Sequence, residues 1–242
     1  MKNPNIVSPE KWLSARREFL REEKEYTKMR DRIAARRREL PWVKVDKTYI
    51  FESAGGRVSL ADLFDGRSQL AVYHFMFGPG WEKGCKSCSY IADHLEPTVV
   101  HLKARDVTLT VVSHAPLSDI VPFKERMGWK FPWVSSHGSG FNQDYRVSFT
   151  PEEIARGKVE YNYGRIDFPQ TEAPGFSVFA KDEQGTVYHT YSTFGRGVEQ
   201  FMGAYTVLDL VPKGRHEDPE APMSWVRYHD SYEQSANVVS TH

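Results

Sequence analysis

The chain has 242 residues, 40% hydrophobic and 26% charged, with 6 Trp, 12 Tyr and 14 Phe; this excludes wholesale disorder and supplies a sizeable core, because each large ring buries much area. Its 32 basic and 32 acidic residues cancel, so no net field draws it to nucleic acid or to an anionic membrane. No apolar stretch approaches the roughly 20 residues that cross a bilayer, and Met1 to Glu10 lacks the apolar centre of a signal peptide. The expectation is a cytoplasmic protein, in which paired cysteines are more often catalytic, redox-sensing or metal-binding than structural.

Pro9 to about Leu40 reads as one long charged helix, with Ser8 as N-cap and Pro9 at the first helical position. Trp12, Phe19, Tyr26, Ile33 and Leu40 recur every seven residues as a narrow apolar seam. No second apolar position accompanies them regularly, which argues against a long parallel coiled coil. The expectation is a helical arm over residues 1–42, laid against its own domain or against a second copy in a homodimer. Arg36, Arg37 and Arg38 suit a helix C-terminus, and Pro41 ends the helix.

Residues 43–212 read as the main domain. A hairpin turns at Ser53-Ala-Gly-Gly56, and Gln69 to Phe77 is a near-continuous apolar run, as in a strand buried on both faces. Ser89 to Ala104 is helical in pattern and is interrupted at Pro97. Asp106 to Ser113 reads as a second buried strand, Pro116 to Met127 as a helix and Phe131 to Ser135 as a short strand. This strand–helix alternation implies right-handed crossovers and a parallel portion of sheet. Residues 136–174 are rich in Gly, Asn, Tyr and Asp and read as a surface insertion with a short helix at Pro151 to Gly157; Asn142, Asp144, Tyr145, Asn162 and Tyr163 are its candidate pocket residues. Gly175 to Ala180 and Thr186 to Tyr191 form an antiparallel hairpin, and Val198 to Val211 a last amphipathic helix. Residues 213–242 are polar and proline-containing and read as a tail.

The chemistry concentrates at Cys85 and Cys88, the only two cysteines. A C-x-x-C between a buried strand and a helix places its first thiol among the unsatisfied N–H groups of the helix start, which favour a thiolate. Lys86 adds a nearby cation. The second thiol, one turn on, is placed to resolve a mixed disulfide. A zinc or copper site is the alternative; it lacks a second C-x-x-C or an H-x-x-x-H and needs histidines brought in by folding, His114 first among them. His74 reads as a core residue, and His137 and His189 as minor candidates. Trp81, just before the cysteines, is a candidate for shaping a substrate groove.

Tyr73-His-Phe-Met-Phe-Gly-Pro79, Gly84-Cys-Lys-Ser-Cys-Ser89, Gly128-Trp-Lys-Phe-Pro-Trp133 and His189-Thr-Tyr-Ser192 together resemble the bacterial DUF899 family, a thioredoxin-like group of poorly defined function. The resemblance runs from the Trp12 helix to Leu208-Asp-Leu-Val-Pro212. It implies an α/β fold with a thioredoxin-like mixed sheet flanked by helices, and a cis-proline facing the cysteines, for which Pro174 is the candidate. Substrate binding is accordingly expected at Trp81, Lys86 and Pro174.

Departures from related groups matter. Lys86-Ser87 stands where thioredoxins usually carry Gly-Pro. Val58-Ser-Leu-Ala-Asp62 is similar to the opening of peroxiredoxins, yet Gly78 and Glu82 occupy the places of their Pro and Thr, seven and three residues before the cysteine. Peroxidase activity is therefore the weaker reading. The reading is a thiol–disulfide oxidoreductase with Cys85 as nucleophile and Cys88 as resolving thiol. It acts on a thiol or disulfide substrate, needs an external reductant, and implies no bound organic cofactor. A metal-binding protein and a non-enzymatic interaction module are the alternatives.

Overall fold

The structure, a computed structural model, describes residues 4–232. Ser8 caps the first helix, α1 (Pro9–Arg38), by accepting the Lys11 N–H. Strands β1 (Val43–Lys44), β2 (Ile50–Ser53), β3 (Gly56–Ser59) and β4 (Gln69–His74) follow, then α2 (Lys86–Leu95) and α3 (Val99–Lys103). A 3-10 turn around Pro97 separates these two helices, because a proline nitrogen has no hydrogen to continue the ladder. Next come β5 (Val107–Ser113), α4 (Leu117–Arg126), β6 (Trp133–Ser135), α5 (Phe141–Asp144), α6 (Pro151–Ala155), β7 (Val159–Tyr161) and β8 (Gly164–Ile166). The chain continues through β9 (Gly175–Lys181) and β10 (Val187–Phe194), a 3-10 segment Gly195–Phe201, and α7 (Gly203–Leu208).

Eight strands form one sheet in the order β1-β10-β9-β4-β5-β6-β2-β3. β5 runs parallel to both β4 and β6, whereas β9 is antiparallel to β4 and β10 antiparallel to β9. A βαβ unit joined side by side to a ββα unit is the thioredoxin-like arrangement, so the expected α/β fold is present. β4 is central because it can face apolar layers on both sides. Ala71 and Tyr73 enter the core shared with Ile91, Phe123 and Tyr205, while Leu70 and Val72 enter the core shared with Phe51, Phe64 and Phe141.

Three expectations change. The seam of α1 does not lie against its own domain: the helix has no buried residue, and Trp12, Phe19 and Tyr26 are 59%, 55% and 71% exposed. The stretch expected as one helix from Val198 to Val211 is a 3-10 segment followed by the short α7. The stretch 213–232 is a packed segment and not a tail: Val226 is fully buried, and Met223, Trp225 and Tyr228 lie against the core that carries α2. The remainder of that stretch, 233–242, lies outside the described residues. The insertion carries its expected short helix as α6, but Val147, Phe149, Val159 and Tyr161 also build a small core with Phe194 of β10. No helix of the described residues is long and apolar enough to cross a membrane.

Candidate thiol active site

β4 delivers the chain to the C-terminal edge of the sheet, and residues 75–84 make an excursion that returns on itself. The Cys85 N–H donates to the Met76 carbonyl at 3.0 Å, and the Met76 N–H points at Cys88 Sγ at 3.5 Å. One residue at the strand's end therefore holds both cysteines. The return needs a glycine at 84: a Cβ there would stand 2.6 Å from the Phe75 ring and 2.9 Å from that of Phe123, closer than side chains tolerate.

Cys85 is the N-cap of α2, in extended backbone (φ −58°, ψ 130°). It stands at the helix start, where the first N–H groups have no partner within the helix, and makes no side-chain capping bond to them. The neighbouring Cys88 thiol is the leading influence that lowers its pKa, and the backbone N–H groups of Cys88 and Ser87 act in the same direction. Together they outweigh partial burial and hold the Cys85 thiol down at about 7. Cys88 is 1% exposed; burial, then the bond and charge of Cys85, push its thiol well up. The two sulfurs are free thiols in unlike settings, Cys85 half-buried and Cys88 buried.

A cavity of about 560 Å³ opens on Cys85. Met76, Cys88, Ile91 and Pro174 form its inner wall, and Val198 and Met202 one flank. The segment after α7 forms the other side through Arg215, Glu217, Pro219, Pro222 and Met223.

Of the expected substrate-binding residues, Pro174 lines this cavity and the other two do not. Trp81 turns at the tip of the loop, its indole nitrogen beside Gly78, and Lys86 points to solvent. The bond before Pro174 is trans, contrary to what the family resemblance implies. Its carbonyl accepts the Tyr161 hydroxyl at 2.6 Å, and the Ala173 N–H donates to Val147 O at 2.8 Å.

The metal alternative does not find its ligands. Nδ1 of His114 pairs with buried Glu172 at 2.9 Å, and the His137 ring sits 5.9 Å from the His114 ring. Among the described residues no group of three or more His, Cys, Asp or Glu comes together to hold a metal. His74 is buried in the core as expected, bonded through Nε2 to Ser177, with Nδ1 unpartnered. Nor do the polar residues of the insertion share a pocket. Asn142 bonds Ser136 in the interior, Asp144 pairs with Lys47 and Tyr49 at the surface, and Asn162 and Tyr163 form the positive-φ turn between β7 and β8.

What the sequence reading missed is the segment after α7. Three aromatic side chains (Trp225, Tyr228, Tyr232) within eight residues of an otherwise polar stretch were the signal for it.

A family model described as "Bacterial protein of unknown function (DUF899)" matches residues 1–232. No curated protein matches the chain. Among solved structures, peroxiredoxin Q of Xanthomonas campestris is similar at 10% identity and a TM-score of 0.44, over 69% of this chain and 98% of that one. Peroxidoxin BcpB of Mycobacterium tuberculosis is similar at 11% identity and 0.43, over 68% and 94%. A proposed thiol:disulfide interchange protein DsbE of Chlorobium tepidum follows at 14% and 0.42, over 68% and 97%.

Proposed function

The chain belongs to the bacterial DUF899 family, and we propose that it acts there as a thiol–disulfide oxidoreductase, with Cys85 as the attacking thiolate and Cys88 as the resolving thiol. One observation carries this reading: Cys85 caps α2 with its thiol held down at about 7, while Cys88, one turn on, is buried and kept protonated.

The thiolate of Cys85 attacks one sulfur of a disulfide. A new S–S bond forms, the old one breaks, and the departing thiolate takes a proton from water. Charge then leaves Cys85, which removes one cause that keeps Cys88 protonated. Cys88 loses its proton and attacks the Cys85 sulfur, so the second half of the substrate departs as a thiol. The protein ends oxidised by two electrons, and an external thiol reductant returns it to the dithiol.

The test is exchange with a small disulfide beside turnover of hydrogen peroxide. Cys85→Ser should abolish exchange, and Cys88→Ser should stall it at the mixed disulfide. Peroxide turnover should be slow, since the loop from Gly78 to Gly84 offers no hydroxyl to polarise an O–O bond. Faster consumption of peroxide than of disulfide would overturn the reading.

A further inference from the structure

We propose that the disulfide this site takes is a small, uncharged and largely apolar molecule that enters the cavity under the segment following α7, and that disulfides of folded proteins are excluded. The proposal rests on the thiol-exchange reading above and names its substrate class.

Three observations converge. The first is the roof. Residues 215–230 are fastened across the mouth of the site at several points. Oε1 of Glu217 accepts the Tyr205 hydroxyl at 2.6 Å, the Trp225 indole N–H at 2.5 Å and the Met223 N–H at 3.1 Å. Arg126 grips Asp230 through two bonds at 2.8 and 2.9 Å, and Tyr228 bonds the Gly84 carbonyl at 2.7 Å. What remains open is about 560 Å³, the size of a small-molecule pocket.

The second is the edge that a peptide would use. An extended chain gains affinity by pairing with unoccupied backbone groups. Beside Cys85 the Ala173 N–H and the Pro174 carbonyl are already bonded within the protein, and proline has no N–H to offer.

The third is charge. Arg215 is held by Asp209 at 2.8 Å and lies 3.4 Å from Glu199, and Arg196 pairs with Glu199 at 2.9 Å. Glu217 carries the three donors named above. Both guanidinium groups of the wall face carboxylates and the Glu217 oxygen is filled by three neutral donors, so an ionic substrate would give up hydration without finding an unoccupied polar group there. The remaining wall, Met76, Ile91, Val198, Met202 and Met223 among it, is apolar and rich in pliable methionine.

The exchange step keeps its balance: one disulfide is reduced to two thiols, the protein dithiol is oxidised to a disulfide, and an external thiol reductant restores it.

The experiment compares wild-type protein against dithiodipyridine and against insulin, each rate divided by that of free dithiothreitol. The normalised rate for dithiodipyridine should saturate with concentration and exceed that for insulin by about a hundredfold, as expected when one substrate is held in place and the other is not. Bis-pyridylethane, the carbon analogue that cannot be reduced, should protect Cys85 from iodoacetamide in a saturable way. Glu217→Gln, checked for folding by its melting transition, should raise the insulin rate and weaken saturation by dithiodipyridine. Equal normalised rates, no protection, or a folded Glu217→Gln indistinguishable from wild type would each overturn the proposal and leave thiol exchange standing. No exchange with either disulfide would overturn thiol exchange itself.

Discussion

The hydroxyl of Tyr228 donates to the carbonyl of Gly84 at 2.7 Å, joining the segment after α7 to the residue immediately before Cys85 across 144 positions of sequence. A residue distant in the chain thereby helps to fix where Cys85 stands.

Tyr228→Phe should remove this tie while keeping the ring packed on Phe123. Losing one net hydrogen bond costs about 1 kcal/mol, or about 2–4 °C in melting midpoint for a domain of this size. The same variant should make Cys85 react faster with bulky alkylating reagents. Thermal melting and alkylation rates check both, and an unchanged midpoint would show that the bond contributes nothing.

Gly84→Ala should be the more damaging change although it adds a single methyl. Its Cβ would press on Phe75 and Phe123, both held in an aromatic cluster with Trp129 and Trp133. Overpacking of this kind costs about 1–3 kcal/mol. The cost should appear as a lowered denaturation midpoint together with a changed pH profile of Cys85 alkylation, because the carbonyl and sulfur partners of the loop must shift. A shifted midpoint with an unchanged profile would confine the strain to the aromatic cluster.

Alkylation of wild-type Cys85, assigned by peptide mass spectrometry, should rise with pH to a midpoint near 7, below the ~8.5 of a free cysteine. The Cys88 thiol is the leading cause of that depression, so Cys88→Ala should move the midpoint upward. An unmoved midpoint would assign the effect to the helix start alone.

His74 is shifted in the same direction, with burial as the main cause. Burial holds its imidazole neutral down to about 3, while an unfolded histidine takes a proton near 6.5. Between those values the unfolded state binds one proton more, so stability is complete above 6.5 and falls as the pH drops, by up to about 1.4 kcal/mol per pH unit. His74→Gln should flatten the slope of denaturation midpoint against pH by about one proton across that window, whatever it does to stability at neutral pH. Equal slopes would mean that the imidazole gains its proton without unfolding.

Phe19→Ala tests the arm. With its side chain more than half exposed, the substitution should leave the melting midpoint of dilute protein unchanged, since no cavity is created. We propose that a second copy covers the seam. In that case the wild-type midpoint rises with protein concentration, the sedimenting mass is that of a dimer, and Phe19→Ala abolishes both; a concentration-independent monomer would dismiss it.

The sequence by itself determined much of what depends on near neighbours, though not the short 3-10 and helical pieces that replace the single helix expected from Val198 to Val211. The apolar run at 69–77, the break at Pro97, the cap Ser8 and the C-x-x-C opening a helix are all written within a turn or a strand, where spacing and backbone chemistry decide the outcome. The acidity of Cys85 follows from the same local logic, though its main cause proved to be the Cys88 thiol and the adjoining N–H groups, with Lys86 facing solvent. Tertiary structure alone decided what surrounds the thiol. Tyr228 meets Gly84 over 144 residues, His229 meets Asp93 over 136, and Asp230 meets Arg126 over 104. His114 is given to Glu172 over 58, and Trp81 packs against the core without lining the cavity beside Cys85. No periodicity encodes such pairs. They arise when eight strands and their covering segments bury their apolar faces together, and the polar groups left inside must take whichever partner that packing brings within reach.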